Sequence, residues 1–355
     1  MPAIVDLRGH GRGVGSANGP ACSTACATVC KAPPESGLMR TLPAAPTPAA
    51  LQGLTVFERG WLSSNNVLLH GSGDPDGAGA VLVDAGHVVH AAQTVALVRH
   101  ALRGERLGRI VNTHLHSDHC GGNASLQRAF GCRISIPPGQ FAAVQVWNDV
   151  ALSYAPTGQQ CERYTADDAL LPGTSFRVGG LTWQAHAAPG HDPHSLVLHC
   201  AERGVVITAD ALWERGFGVV FPELDGVDAF DEVEATLDLI ASFDAKVAIP
   251  GHGAPFSDVP AALQRARQRL AGFRADPQRH AHHAVKALVK FHLLEVQQQS
   301  WPELLAWFSG VTLYAAVWRR LGCPDRTLAA FAERVVGELV AQGVLARCDG
   351  VVFNA

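Results

Sequence analysis

The chain has 355 residues, of which 47% are hydrophobic, and it carries a formal net charge of −4 at pH 7. This length and apolar content suffice for one large or two moderate packed domains. The slightly acidic balance gives no basic field for nucleic acid or an anionic membrane surface, and no apolar run is long enough to span a bilayer. Since the N-terminus also lacks the pattern of a secretory signal, we expect a cytoplasmic protein without membrane or nucleic-acid partners.

The first segment, residues 1–50, is rich in Gly, Ala, Pro, Ser and Thr. It buries too little apolar surface to offset the entropy of ordering, so we predict disorder there and expect residues 1–38 to be dispensable. Cys22, Cys26 and Cys30 could place three thiols on one helix face for a soft metal, but a fourth ligand is missing and we favour no metal role. The nine cysteines show no regular pairing distances, which indicates a reducing compartment.

Strand-like segments begin near Leu54 and lead into alternating strands and helices. We predict strands at 55–58, 66–70, 80–84 and 109–112, and an amphipathic helix at 90–103. This alternation predicts a layered α/β architecture.

Residues 110–123, Ile-Val-Asn-Thr-His-Leu-His-Ser-Asp-His-Cys-Gly-Gly-Asn, follow from the last of these strands. Imidazoles and carboxylates at this density favour a divalent metal, because each must otherwise be desolvated without a partner. In an extended segment side chains alternate, so we expect His114, His116 and Asp118 on one side and a turn that directs His119 to a second ion. The alternative interpretation is a His-rich surface loop with no ligand role.

The chain after this motif continues the alternation. We predict helices at 124–130, 227–243 and 259–275, a helical insertion at 138–155, and strands at 132–136, 181–187, 195–200, 205–208 and 246–249. The insertion contains Phe141, Trp147 and Tyr154, which either wall a substrate cleft or, as we favour, pack in the core.

The His-x-His-x-Asp-His motif resembles the signature of the metallo-β-lactamase superfamily of hydrolases. Three later turns match the same pattern, namely Ala-Pro-Gly-His191, Ile-Thr-Ala-Asp210 and Ile-Pro-Gly-His252-Gly, so the resemblance covers roughly residues 54–275. It implies an αββα sandwich with metals at the edge where strand ends meet. It also implies that Asp84 braces the metal site, although a turn-stabilising role explains this residue equally well.

The resemblance further implies two divalent metal ions. The first is expected to take His114, His116 and His191, and the second Asp118, His119 and His252, with Asp210 bridging. Nitrogen-rich ligation with carboxylates favours Zn(II), although Fe(II) or Mn(II) also fits. His194 is not a family ligand position; it either faces the substrate as a catalytic, proton-transferring residue or makes a structural hydrogen bond.

After residue 276 the pattern becomes helical. We predict helices at 278–297, 301–308, 313–321 and 328–341, followed by a hairpin of 344–347 and 351–353. This order resembles a winged-helix appendage of some superfamily members. Residues 277–355 hold eight Lys and Arg against six Asp and Glu, a net positive charge too small for binding a nucleic-acid backbone. We therefore interpret the region as a packing, homodimerisation or cleft-closing element. The predicted division is 1–50, a catalytic domain at 51–276, and a helical domain at 277–355.

The resemblance implies hydrolysis by a metal-bridging hydroxide that Asp118 orients. The motif looks closest to the glyoxalase II-like and lactonase branches, which predicts a small thioester or lactone as substrate. It departs from glyoxalase II at Leu115, where that family usually has a further His, and no glutathione-binding pattern is evident. The alternatives are a metal-dependent phosphodiesterase or nuclease and an iron-dependent redox enzyme of the same fold. Thiolate chemistry at Cys120 is not favoured, since no positive side chain is evident to lower its pKa.

Overall fold

The computed structural model describes residues 49–71 and 78–355. The predictions about residues 1–38 and about Cys22, Cys26 and Cys30 lie outside this part of the chain. The strands are β1 (Leu54–Phe57), β2 (Asn66–Leu69), β3 (Ala80–Val83), β4 (Leu107–Val111), β5 (Arg133–Ile136), β6 (Asp168–Ala169), β7 (Ser175–Val178), β8 (Leu181–Ala187), β9 (Leu196–Cys200), β10 (Val205–Ala209), β11 (Val247–Pro250), β12 (Gln298–Ser300), β13 (Leu345–Cys348) and β14 (Val351–Asn354).

The helices are α1 (Ala91–Leu102), α2 (Ser117–Cys120), α3 (Asn123–Phe130), α4 (Pro138–Val146), α5 (Tyr154–Thr157), α6 (Phe221–Asp225), α7 (Phe230–Ser242), α8 (Val259–Ala275), α9 (Pro277–Val296), α10 (Trp301–Gly310), α11 (Thr312–Arg320) and α12 (Leu328–Ala341). A 3₁₀ turn at Val88–His90 precedes α1. No helix in the described ranges is long and apolar enough to cross a membrane.

The first sheet has the strand order β1-β2-β3-β4-β5-β6. Its first three strands form an antiparallel meander, whereas β3 to β6 run parallel. Parallel strands end at the same edge of a sheet, and Val83 of β3 lies opposite Val111 of β4. The segments that follow these two strands, which carry Asp84 and the histidine-rich motif, are therefore held side by side.

The second sheet has the order β11-β10-β9-β8-β7, and only β10 and β11 are parallel. The inner faces of the two sheets share one apolar core, in which Val81 and Val111 of the first sheet pack with Trp183, Leu198 and Ile207 of the second. The outer faces of the two sheets are apolar as well, with Leu82 and Ile110 on the first and Val197 and Val206 on the second, so helices must cover them.

Helices cover both outer faces. Val98 and Leu102 of α1 share a core with Ile110 of β4, while Leu237 of α7 and Leu263 of α8 pack in a core on the outer face of the second sheet. The expected αββα sandwich is confirmed.

Some element boundaries differ from the sequence prediction. The helical insertion predicted at 138–155 is two helices, α4 and α5, because Trp147 adopts a left-handed backbone conformation (φ 52°) that ends α4. Helix α6 lies in a segment for which no helix was predicted, and α7 begins at Phe230 rather than Val227. The Glu223 carboxylate accepts a hydrogen bond from Ala229 N at 2.7 Å, which fixes the turn between the two helices.

The helical region predicted at the C-terminal side is also confirmed. Helices α9 to α12 share one apolar core, and the predicted hairpin of β13 and β14 is joined by the unpredicted β12 in a sheet of order β12-β14-β13. Only Asp276 separates α8 from α9, and its carboxylate caps α9 by accepting from Arg279 N at 3.1 Å. The domain boundary at 276/277 stays a prediction.

Candidate metal centre

All seven residues of the expected ligand set lie at strand ends on one edge of the sandwich. His114 and His116 follow β4, Asp118 and His119 lie on α2, and the other three follow β8, β10 and β11, in the order His191, Asp210 and His252. The structure gathers them into two groups, one of His114, His116 and His191 and one of Asp118, His119, Asp210 and His252, each with ligand atoms within 4.8 Å of one another. All seven are buried.

In the first group, imidazole nitrogens face one another. His191 Nε2 lies 2.8 Å from His116 Nδ1 and 3.2 Å from His114 Nε2. The outer nitrogens show where the protons reside, because His191 Nδ1 donates to Val219 O at 2.6 Å and His114 Nδ1 contacts Thr113 Oγ1 at 3.1 Å. Thr113 Oγ1 already donates to a carboxylate, so it accepts from His114.

This assignment leaves lone pairs on the inner nitrogens of His191 and His114. His116 also directs Nδ1 to the cluster, while its Nε2 faces Asp192 Oδ2 at 3.8 Å. Lone pairs that converge at hydrogen-bond distance repel one another unless a cation lies among them. The first group therefore fits a divalent metal.

In the second group, His119 Nδ1 donates to Asp84 Oδ2 at 2.7 Å. Its Nε2 faces Asp210 Oδ1 at 3.4 Å and Asp118 Oδ2 at 3.7 Å. His252 Nε2 lies 3.0 Å from the same Asp118 oxygen. Two carboxylates and two imidazoles with their ligand atoms directed inward form a donor set that suits a divalent ion.

Asp210 lies between the groups. Its Oδ2 is 3.5 Å from His191 Nε2 of the first group, and its Oδ1 is 3.4 Å and 3.8 Å from His119 Nε2 and His252 Nε2 of the second. Each carboxylate oxygen thus faces one group, which is the arrangement expected of a bridging ligand.

The position of Asp118 differs from the alternation expected for an extended segment. The chain turns into α2 at Ser117, so Asp118 shares a short helix with His119 and joins the second group. Backbone hydrogen bonds from His119 N and Cys120 N to His116 O close this turn. The expectation that the chain stays extended through Asp118 is wrong. The expectation that Asp118 belongs to the second metal, with His119 and His252, agrees with the geometry.

Two imidazoles of the first group, those of His114 and His116, are held in their neutral form. Burial and then the neighbouring imidazoles lower the pKa of His114 well below its usual range, and burial followed by His191 lowers the pKa of His116 to about 4. Neutral imidazoles are the form that binds metal at physiological pH.

The second group is strongly polarised. Burial opposes the charged form of His119, but Asp84, Asp210 and Asp118 outweigh it and raise its pKa well above the ordinary value. Burial likewise opposes ionisation of Asp118, yet the imidazoles of His119 and His252 lower the pKa of Asp118 to about 2. The carboxylates of this group are therefore anionic and attract a cation.

Asp84 connects the first sheet to the centre. Besides His119, its carboxylate accepts from Thr113 N and Thr113 Oγ1, both at 2.8 Å. It thereby fixes the backbone just before His114 as well as the orientation of His119.

Several contributors gave no recognisable signal in the sequence. Asn65, in the loop between β1 and β2, donates to Pro250 O and Gly253 O at 2.9 and 2.7 Å and so fixes the turn that carries His252. Trp213 Nε1 donates to Asp210 Oδ1 at 3.2 Å. A Cβ atom at Gly251 would lie 2.1 Å from Asp210 Oδ1, so only glycine fits there. These contacts join residues that are far apart in the chain.

His194 is not brought to the centre. Its side chain is exposed and does not line the cavity over the two groups; its ring packs against Gly139, and its backbone N donates to Asp192 Oδ1 at 2.7 Å. The placement gives no support to the catalytic role predicted for His194, whereas its neighbour Asp192 contacts His116.

Cys120 and the aromatic residues of the insertion belong to the core. Cys120 Sγ lies 3.0 Å from Tyr154 Oη and points away from the cavity, and burial raises the pKa of its thiol well above the usual range. Tyr154 is buried, and Phe141 and Trp147 pack against the same cluster. The favoured core interpretation of these aromatics agrees with this placement.

A cavity of about 490 Å³ opens over both groups. It lies between the strand-end loops and helix α9, and its lining includes five of the seven candidate ligands: His116, Asp118, His191, Asp210 and His252. Trp61 stacks on the ring of His252, with centroids 5.4 Å apart and an interplanar angle of 15°. The centre is therefore reached through a cleft with aromatic walls.

An αββα sandwich with clusters of imidazole and carboxylate groups at its strand ends defines a class of proteins built around a metal centre. Residues 59–252, more than half of the chain, match the family model of the metallo-beta-lactamase superfamily. The chain belongs to this superfamily, and the expected family and fold are confirmed.

The relatives that it matches are named as hydrolases. The chain is 31% identical over 229 residues to the hydroxyacylglutathione hydrolase of Anaeromyxobacter dehalogenans (strain 2CP-C), covering 62% of this chain and 76% of the relative. It is 25% identical over 189 residues to the atrochrysone carboxyl ACP thioesterase of Aspergillus fumigatus, covering 53% of this chain and 52% of that protein. The chain thus spans only about half the length of the second relative.

A solved structure shows the same fold. The metallo-beta-lactamase family protein from Thermus thermophilus aligns with a TM-score of 0.51 at 22% sequence identity, covering 86% of this chain and all of that one. At this identity the likeness concerns the fold alone.

Proposed function

We propose that the protein is a binuclear metal-dependent hydrolase of a small ester-like substrate, a thioester or a lactone. The observation that carries the proposal is the position of Asp210, whose two oxygens face two separate groups of candidate ligands. One metal would be held by His114, His116 and His191, and the other by Asp118, His119 and His252, with Asp210 placed to serve both.

The donor set favours Zn(II), because five imidazoles and two carboxylates match the ligands that zinc prefers, while Fe(II) and Mn(II) accept a similar set. When bound, such a metal pair supplies a Lewis acid and a water of lowered pKa.

The side chains around the cleft organise the substrate and the water. Asp118 lines the cavity as an anion, so it can accept a hydrogen bond from a water that enters and hold it toward the substrate carbonyl. Asp84 holds the ring of His119 by a hydrogen bond, and Asp192 places a carboxylate 3.8 Å from Nε2 of His116. Trp61 and Trp213 cover His252 and limit the access of bulk solvent.

A thioester substrate is supported by the names of two relatives, one a hydroxyacylglutathione hydrolase and one an acyl carrier protein thioesterase. A lactone needs the same attack on a carbonyl carbon and stays within the proposal. The charge balance of the C-terminal region gives no support to a polyphosphate substrate. The cytoplasmic location and the homodimer also stay proposals.

The testing experiment combines metal content with turnover. Protein purified without added metal is analysed by elemental mass spectrometry and then assayed, after loading with Zn(II), Fe(II) or Mn(II), on thioesters, lactones, β-lactams and phosphodiesters. We expect two metals per chain and turnover of a thioester or lactone. A single metal, or turnover confined to phosphodiesters, contradicts the proposal.

A further inference from the structure

Apart from the candidate ligands, the cleft is lined mainly by apolar side chains. Aromatic rings come from the loops of the catalytic region, and aliphatic and aromatic groups come from α9 in the C-terminal region. A volume of about 490 Å³ lies within the roughly 300–1,000 Å³ typical of small-molecule sites. This apolar surface has no role in metal binding, so it requires a separate explanation.

Helix α9 supplies one wall with Ala287, Phe291 and Leu294. Their spacing of four and three residues places them on one face of the helix. All three are only partly buried, whereas Val285, Val289 and Leu293 of the same helix pack in the C-terminal core. The helix therefore presents a second apolar face to the cleft.

The opposite wall is aromatic. Trp61 is 61% exposed, an unusual fraction for so large an apolar side chain, and its ring meets that of Trp213 edge to face at 5.4 Å. Phe221 lies with its ring centroid 4.5 Å from that of His116, directly beside the first metal-ligand group. An acyl chain with its carbonyl carbon near Asp210 would run between these rings and α9.

The basic residues of the cleft are engaged elsewhere or lie at its edge. The Lys290 ammonium donates to Val344 O at 2.8 Å and to Asn354 Oδ1, so only its methylene stem is left for the cavity. The Arg269 guanidinium donates to His283 at 2.9 Å and lies 5.2 Å from the ring centroid of Phe273. Arg215 is exposed. The space between α9 and the tryptophans therefore offers little to a polar acyl group.

We propose that the cleft selects an extended apolar acyl group, so that the substrate is an ester or thioester of a hydrophobic carboxylic acid rather than of a small hydroxy acid. Ala287, Phe291 and Leu294 on α9 determine this specificity, and the C-terminal region thus forms part of the substrate site. This inference rests on the proposed hydrolase function for its chemistry, but binding of the apolar chain can be measured separately.

The first experiment measures kcat/KM of the zinc-loaded protein on N-acetylcysteamine thioesters from acetyl to decanoyl, with lactoylglutathione for comparison. The carrier is small and constant, so the series reports the acyl group alone. We expect up to about a fourfold rise per added methylene until the cleft is filled. A flat or falling series in an active enzyme overturns the inference and leaves the proposed function standing.

A substitution that fills the cleft sharpens this test. Ala287→Trp should abolish the rise of kcat/KM with acyl chain length. Hexanoyl and longer thioesters should therefore lose more activity than the acetyl thioester. Ala306→Trp, on the exposed face of α10, is the matched control and should show the same dependence of kcat/KM on chain length as the wild type. An equal loss for all chain lengths in Ala287→Trp, with wild-type metal content, contradicts the proposed position of the acyl group.

The second experiment needs no catalysis. The change in tryptophan fluorescence on addition of n-alkanols from butanol to decanol is titrated with the zinc-loaded protein, since these neutral probes carry no ester or thioester bond for the enzyme to hydrolyse. We expect saturable binding that tightens with chain length and weakens about tenfold or more in Phe291→Ala and in Leu294→Gln, but not in Phe130→Ala on α3. Binding without any thioester or lactone turnover would overturn the proposed function but support the apolar site; absence of saturable binding overturns the site.

Discussion

The Asp84 carboxylate accepts a hydrogen bond of 2.7 Å from Nδ1 of His119, although 34 residues separate the two in the chain. Asp84 follows β3, has a left-handed backbone conformation (φ 59°), and binds the backbone of Thr113 with its other oxygen. One carboxylate thus orients a candidate ligand and anchors the loop that carries two more.

Asp84→Asn should weaken metal binding without loss of the fold. Asparagine tolerates the left-handed conformation and can still accept from Thr113 N, but it removes the negative charge facing His119. We expect about a 10- to 100-fold loss of affinity at one of the two metals. Competition with a chelator measures the two affinities. Asp168→Asn, which disturbs only surface pairs with Arg109 and Arg133, is the control and should bind metal normally.

Asp210→Ala should damage the enzyme far more than Cys120→Ala. Without the bridging carboxylate, two cations face each other with less negative charge between them, so at least one is expelled and activity falls by more than about 100-fold. Cys120→Ala removes a buried thiol that points into the core, which costs about 1 kcal/mol of stability. Metal analysis and kinetics of both variants check this. Equal activity losses with metal retained in both would indicate thiol chemistry.

Gly251→Ala should disrupt the centre although it adds a single methyl group. The new Cβ would lie 2.1 Å from Asp210 Oδ1 and 3.0 Å from His119 Cε1, so the bridging carboxylate must move. We expect loss of one metal and of activity, measured by elemental analysis and turnover. Gly310→Ala meets no atom within 4 Å and should leave both unchanged. Normal metal content in Gly251→Ala would show that Asp210 does not occupy the bridging position.

The buried imidazole of His280 should make the protein less stable in acid. Its Nε2 accepts from Val220 N at 3.1 Å, and burial, followed by repulsion from His283, Arg269 and Arg320, lowers its pKa from 6.5 to about 3. Because the folded pKa is lower than the unfolded one, the unfolded state binds more protons as the pH falls below about 6.5. We expect a loss on the order of 2–4 kcal/mol from this group between pH 6.5 and pH 3.

The check for His280 is urea unfolding of the wild type and of His280→Gln across this pH window. Glutamine keeps an acceptor for Val220 N but has no proton to bind. The variant should therefore have a flatter pH dependence of the free energy of unfolding. Parallel curves for the two proteins would show that His280 does not contribute to acid sensitivity.

The enzyme should hydrolyse carbonyl substrates and leave nucleic acid intact. Short single-stranded RNA and simple thioesters or lactones are assayed with one metal-loaded preparation, and Asp118→Ala serves as the control for site-dependent activity. We expect carbonyl turnover that is lost in the variant. RNA cleavage that disappears in the variant, together with no turnover of carbonyl substrates, would instead indicate that the winged-helix-like region binds nucleic acid.

The sequence by itself determined the fold class and the candidate ligand set. Strand and helix periodicities are local, so the alternation of elements could be predicted from residues a few positions apart. His114, His116, Asp118 and His119 stand together in the chain, and His191, Asp210 and His252 each stand in a short turn whose residue types match one family pattern. Metal ligands at strand ends can be recognised in a sequence because few other functions require His and Asp side chains in such turns.

Only the tertiary structure decided which other residues serve the site. Asp192, Asn65 and Trp213 carry no motif, and their partners lie far away in the chain, so their roles depend on how the strands pack. The same packing turns His194 outward and brings Phe291 of α9 to the cleft, where it shares a cavity with ligands from distant strand ends. Side-chain direction at a turn and contact between distant elements are set by the fit of whole layers, which no local pattern encodes.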